Sequence, residues 1–218
     1  MKISASILAT SITRFSTMLP TLKKEEIDYL HIDVMDGNFV PQISFGESIT
    51  KEIRGQSDIP LDVHLMVENP EQEVPKYYDL QPDFITFHAE ATDFMVRLCE
   101  DIRVHGSKAG IALNPATSLE SVRYILPYID LLLVMTVDPG FYGQKFTLSG
   151  MQKIQDAKKM IDASGYDIAL EVDGGVNVNN IAQVSQSGAS ICVAGSAVFK
   201  NGVPGENTIQ LKKLTETA

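Results

Sequence analysis

Short apolar runs alternate with longer amphipathic stretches along the chain. Runs rich in Ile, Leu, Val and Phe predict strands at Ile3–Leu8, Tyr29–Met35, Leu61–Val67, Phe84–His88, Ala109–Leu113, Leu131–Val137, Ile168–Val172 and Ile191–Ala194. Their nearly continuous apolarity is what a parallel strand covered on both faces requires. Between them, helices are expected at Ser48–Ile53, Pro70–Tyr78, Asp93–Val104, Ser118–Leu126 and Ser149–Ala163. Asn69 offers an N-cap before Pro70, and Ser118 opens the fourth stretch. His105-Gly106 and Gly165 read as helix stops. In the tail Asn201–Ala218, Leu211 and Leu214 suggest a closing helix.

Strictly alternating strand–helix units imply a parallel sheet, and eight units in 218 residues fit an α/β fold of the (β/α)8 TIM barrel type. An open doubly wound sheet would usually carry a Gly-rich turn after its first strand. Here that strand runs into Ser6-Ile7-Leu8-Ala9-Thr10-Ser11, without glycine. No linker, charge block or low-complexity segment divides the chain, so one domain is expected over residues 1–218.

Composition narrows the class. Hydrophobic residues at 44% and charged residues at 21% are those of a globular chain, which excludes disorder and fibrous repeats. Eighteen Lys and Arg against 28 Asp and Glu leave a net charge of −10, so neither nucleic acid nor an anionic membrane surface is an expected partner. No apolar run approaches the roughly 18 residues of a membrane span. The segment Met1–Phe15 lacks the regions of a secretory signal. Cys99 and Cys192 make neither a disulfide framework nor a thiolate zinc site. A cytoplasmic, reducing location follows as an expectation. Cys192, inside a strand, reads as a small hydrophobe.

A barrel of this kind keeps its chemistry at the C-terminal ends of the strands. Positions i and i+2 of a strand share a face, which pairs His31 with Asp33, Asp62 with His64 and Glu171 with Asp173. Burying so many ionisable groups is costly unless they are paired or hold a cation. Any one His-x-Asp is read more simply as a buried ion pair. Three strand ends together favour a divalent metal, with zinc, manganese, iron and cobalt all compatible. Asp62 and Glu171 lie one layer deeper and are expected to orient the histidines or fill a polar layer. His88 reads as an outer group near the metal, and His105 as solvated. Met35, Met66 and Met135 each end a strand and are candidates for an apolar collar over the metal.

Glycines form a second cluster: Gly140-Phe141-Tyr142-Gly143 after the sixth strand, Gly174-Gly175 after the seventh and Gly195-Ser196 after the eighth. Glycine lets backbone N–H groups approach an anion, and helix N-termini add partial positive charge. Such a cradle needs no basic patch. Lys108 precedes its strand and Lys145 sits in a loop, so no strand end carries the inward lysine typical of barrel decarboxylases and aldolases.

These segments resemble the ribulose-phosphate 3-epimerase family. The resemblance runs in order through Ser6–Leu8, His31–Pro41, Leu61–Pro70, Ile85–Ala91, Ala112–Thr117, Val134–Phe146, Glu171–Asn177 and Val193–Phe199. It implies a phosphate-binding barrel that interconverts D-ribulose 5-phosphate and D-xylulose 5-phosphate through an enediolate. One divalent cation per subunit (Zn, Fe, Mn or Co) would sit on His31, Asp33, His64 and Asp173, with Asp33 and Asp173 as the acid/base pair. Ser6, His31, His64 and Asp173 would meet the sugar. Gly140, Phe141, Tyr142, Gly143, Gly174, Gly175, Gly195 and Ser196 would meet the phosphate end. Members usually form homo-oligomers, dimers or hexamers.

Three positions depart from the common pattern: Ala5, Asp138 and Tyr142. The stretch Met135–Phe141 is similar to a close relative, allulose-6-phosphate 3-epimerase, whereas Gly174-Gly175-Val176-Asn177 looks more like the pentose enzyme. A ketohexose phosphate is therefore the alternative substrate. A non-catalytic sugar-phosphate-binding barrel is more remote, since a sensor needs neither four metal ligands nor two opposed acids.

Overall fold

The computed structural model describes residues 1–216. Eight parallel strands close into a barrel in chain order, and the first pairs with the last. They are β1 (Lys2–Ser6), β2 (Tyr29–Met35), β3 (Leu61–Met66), β4 (Phe84–His88), β5 (Lys108–Leu113), β6 (Leu131–Met135), β7 (Ala169–Asp173) and β8 (Ile191–Ala194). The helices are α1 (Phe15–Met18), α2 (Glu47–Arg54), α3 (Pro70–Glu73), α4 (Met95–Val104), α5 (Gly150–Ser164), α6 (Ile181–Gln186), α7 (Ser196–Phe199) and α8 (Pro204–Glu216). The expected closing helix is α8; the last two residues of the tail lie outside the described residues.

The strands stand where the apolar runs put them, within a residue or two. Ile7–Ala9 leaves β1 early as a 3-10 turn, and β6 ends at Met135. The helices differ more. Pro70–Tyr78 becomes α3 followed by a 3-10 stretch, Val74–Leu80, because Pro75 has no N–H to continue the ladder. Asn69 caps with its backbone, its carbonyl accepting from the N–H groups of Gln72 and Glu73, and its side chain makes no capping bond. Ser118–Leu126 is not an α-helix: it resolves into 3-10 turns at Leu119–Val122 and Leu126–Tyr128. Ser118 does cap there, accepting from the Glu120 N–H, but Pro127 closes the run too soon for propagation. Gly165, at φ 73°, ends α5 as expected.

Alternation sorts each strand into two faces. Outward residues such as Ile3, Leu30, Ile32, Val63 and Val172 meet the helices in the main core. Inward residues stack in layers drawn from alternate strands. Tyr29, Phe84, Leu131 and Ile191 floor the barrel from the even strands. Above them the odd strands bring Ser4, Asp62, Gly110 and Glu171, and the next even layer includes His31 and Thr86. Ser6, His64, Ala112 and Asp173 follow, then Asp33, His88 and Met135. The interior thus turns from apolar to polar towards the C-terminal mouth.

Candidate active site

His31, Asp33, His64 and Asp173 come together in this upper interior. One ligand atom from each lies within 4.8 Å of all the others. Asp33 Oδ1 is 3.4 Å from His31 Nε2 and 3.5 Å from His64 Nδ1. Asp173 Oδ2 is 4.0 Å from His64 Nδ1. Ser6 Oγ donates to Asp33 Oδ2 at 2.7 Å, which leaves Oδ1 turned to the imidazoles.

The outer contacts aim the rings. Asp62 Oδ2 sits 2.6 Å from His31 Nδ1 and accepts from Ser4 Oγ at 2.7 Å. His64 Nε2 lies 2.9 Å from His88 Nε2. That leaves His31 Nε2 and His64 Nδ1 buried without a hydrogen-bond partner among the described residues. Unpartnered buried nitrogens are costly, and a cation among two imidazoles and two carboxylates would satisfy both. The donor set fits a divalent metal. His31, Asp62 and Glu171 also converge within 4.8 Å. The short His31–Asp62 contact makes Asp62 a support for the imidazole, as expected; both Glu171 oxygens are buried without a hydrogen-bond partner among the described residues.

The two aspartates differ in character. Burial opposes ionisation of Asp33, but His31 and His64 outweigh it and hold the carboxyl well below the usual range. Burial and the Asp33 charge push Asp173 up to about 7. Burial would lower His31; the Asp62 and Asp33 charges instead raise it well above its ordinary value. Burial, then the Asp62 charge, keeps Glu171 protonated far above the usual range. Burial also takes His88 down to about 4.

Above the cluster opens a cavity of about 380 Å³. Ser6, Asp33, Asp173 and the three methionines Met35, Met66 and Met135 line its base. Gly140, Phe141, Tyr142, Gly143, Gly174, Gly175, Gly195 and Ser196 line its loop side. Every residue expected at the site reaches this cavity except His31 and His64, which lie fully buried beneath it. Asp138 is not among the lining residues; Tyr142 is, and it is 67% exposed.

Gly174 and Gly175 also have a packing reason to be glycine. Gly175 has φ 69°, and a Cβ there would lie 2.4 Å from the Phe146 backbone nitrogen. At Gly174, with φ 118°, it would lie 2.8 Å from Val137 N. These residues are small because the loop after β7 packs backbone to backbone on the loop after β6, so a side chain would separate the loops rather than fill the cavity. Gln144, missed in the sequence, ties the β6 loop: Nε2 donates to the carbonyls of Asp138 (2.5 Å) and Phe141 (3.0 Å). Lys145 is the one basic side chain among the described residues lining the cavity. Glu90, also missed, lies past the end of β4 and holds His88. His105 is exposed, as expected, and its ring also stacks on Tyr78 with centroids 3.9 Å apart.

An acidic metal-capable cluster under a glycine-rich cavity, at the C-terminal mouth of a (β/α)8 barrel, defines a sugar-phosphate type of barrel enzyme. The Ribulose-phosphate 3 epimerase family matches over residues 2–199, and the chain belongs to that family. It is 41% identical over 211 residues to the ribulose-phosphate 3-epimerase of Mycobacterium leprae (strain TN), covering 97% of this chain and 93% of that one. It is 42% identical over 199 residues to the enzyme of the same name from Bacillus subtilis (strain 168), covering 91% and 92%. Among solved structures, KGPDC from Streptococcus mutans superimposes with a TM-score of 0.72 over 99% of this chain and 97% of that one, at 12% identity. That likeness is one of fold.

Proposed function

We propose that this chain is an isomerase that inverts C3 of D-ribulose 5-phosphate to give D-xylulose 5-phosphate, and the reverse. The main support is the Asp33–Asp173 pair, one held ionised and the other holding its proton to about 7, in a chain about 41% identical to named ribulose-phosphate 3-epimerases. The C3 proton of a ketose phosphate is weakly acidic because the C2 carbonyl is adjacent. One aspartate takes it from one face, and the other returns a proton to the opposite face. Ser6 fixes the orientation of Asp33 through its hydroxyl. The methionine collar excludes water around C2 and C3, and the glycine loops take the phosphate end. His31, Asp33, His64 and Asp173 would hold one divalent cation, with zinc, iron, manganese and cobalt all suited. When bound, it supplies positive charge to the C2 and C3 oxygens, lowering the cost of removing the proton.

The pentulose is favoured over allulose 6-phosphate by the near-complete family pattern and by Gly174-Gly175-Val176-Asn177, which resembles the pentose enzyme and lines the cavity; of the two residues that argue for the hexulose, Tyr142 lines the cavity and Asp138 does not. A homo-oligomer, dimer or hexamer, and a cytoplasmic setting belong to the same reading; no helix among the described residues is long and apolar enough to cross a membrane. Side-by-side kinetics on ribulose 5-phosphate and allulose 6-phosphate test the substrate. A higher kcat/KM for the hexulose phosphate overturns it. Elemental analysis tests the metal: about one divalent ion per chain is expected, and His64→Ala should lose both ion and activity. Full activity in a metal-free preparation refutes this part.

A further inference from the structure

His64 can offer Nδ1 to a cation only if its proton sits on Nε2. Inside the cluster of His31, Asp33, His64 and Asp173, the Asp33 carboxylate, 3.5 Å from Nδ1, favours the opposite choice, a proton on Nδ1, so the proton is held on Nε2 only by something outside it. Nε2 faces His88 Nε2 at 2.9 Å, and two imidazole nitrogens at that distance share a single proton. Either ring could be the donor. The choice is made one step further out. His88 Nδ1 lies 3.3 Å from Glu90 Oε2. The other oxygen of Glu90 accepts from the Asn114 backbone N–H at 2.8 Å and from the Thr117 hydroxyl. A carboxylate engaged only by donors has no proton to give. His88 must then donate from Nδ1, and its Nε2 lone pair receives the proton of His64. His88 is fully buried under the Phe39 ring, 4.7 Å between centroids, so water does not replace either contact.

We propose that Glu90, acting through His88, sets the tautomer of His64 and thereby makes its Nδ1 a metal ligand. Glu90 and His88 are positioning residues: neither lines the cavity. The inference rests on the metal reading of the site. It places the origin of a three-membered relay on a residue outside that cluster: acceptor at Glu90, donor then acceptor at His88, donor then ligand at His64.

Glu90→Gln tests it because the shape is kept and the polarity is reversed. The amide oxygen takes over the Asn114 and Thr117 donors, so the amide NH2 faces His88 Nδ1 and donates. His88 then carries its proton on Nε2, and His64 is left with Nδ1–H pointing at Asp33. The full-length protein is labelled with nitrogen isotope in histidine, stripped of metal, and examined by two-bond proton–nitrogen correlation spectra at neutral pH. Its affinity for Co2+ alone is measured in parallel by titration. Wild type should show His64 protonated at Nε2 and His88 at Nδ1. Both should invert in Glu90→Gln, with Co2+ affinity falling about 10–100-fold. Glu90→Asp, which keeps the acceptor, should restore the wild-type tautomers and most of the affinity. His64 protonated at Nδ1 in wild type overturns the proposal, and this holds even if a variant does not fold. So does a folded Glu90→Gln with unchanged tautomers and Co2+ affinity within about twofold of wild type. Failure of wild type itself to bind Co2+ would instead sink the metal reading.

Discussion

Asp33 and Asp173 sit in one buried cluster and would repel each other if both were charged, so their surroundings decide which one keeps a proton. Asp33 has the two imidazoles and the Ser6 hydroxyl; Asp173 has burial and the Asp33 charge against it. If the two acids flank a planar intermediate, as proposed, each epimer loses its C3 proton to a different residue. Replacing either by Asn should stop net epimerisation, because a full turnover uses both. It should leave solvent exchange at C3 from the one epimer that faces the surviving carboxylate. In deuterated water, Asp33→Asn and Asp173→Asn are therefore expected to show complementary exchange, each with a single epimer. Metal content must be measured in both, since Asn keeps one oxygen but loses the charge. Variants that retain metal yet exchange the same epimer would mean that a single base serves both faces.

At the level of elements, the loops after β6 and β7 are one construction. The Gly175 contact with Phe146 and the Gln144 bonds to Asp138 and Phe141 hold it in shape. Gly175→Ala puts a Cβ against backbone at a left-handed φ, which should cost about 1–3 kcal/mol and raise KM for the sugar phosphate. Gln144→Ala should raise KM with little change in Tm, because Gln144 supports the loop and not the core. A Gly175→Ala enzyme with wild-type KM and Tm would show that the loops have slack. This packing was not legible in the sequence: glycine-rich loops suggested anion approach, and only the fold shows which backbone lies next door. The strands were legible because both faces are buried, and so were the paired site residues, since i and i+2 share a face. The short helices α1, α6 and α7 were not, because four to six residues do not complete two periods. Glu90 was illegible for a related reason: it lies beyond β4, where strand alternation no longer says which way a side chain points.

For the molecule as a whole, the difficulty is one of sign. A chain of net charge −10 is to bind a dianionic phosphate next to two aspartates. Only Lys145 among the described cavity residues is basic, so on the proposed reading local attraction would come from backbone N–H groups at the loops and from a bound metal. These act over a few ångströms, whereas the net charge acts at the range from which substrate approaches. The Debye length shrinks from about 30 Å at 0.01 M salt to about 8 Å at 0.15 M. Salt should therefore screen the repulsion and leave the short contacts almost untouched. The expected result is a kcat/KM that rises about two- to threefold as sodium chloride goes from about 0.01 M to 0.15 M, the opposite of a basic cleft. Lys145→Ala should lower kcat/KM modestly at every ionic strength without abolishing binding, and should steepen the rise, since the one local cation is gone. Sulfate and phosphate must be kept out of the buffers, because they compete for the same loops. A kcat/KM that falls steeply with chloride, together with collapse of binding in Lys145→Ala, would mean that the phosphate is held by side-chain charge rather than by the backbone of the β6, β7 and β8 loops.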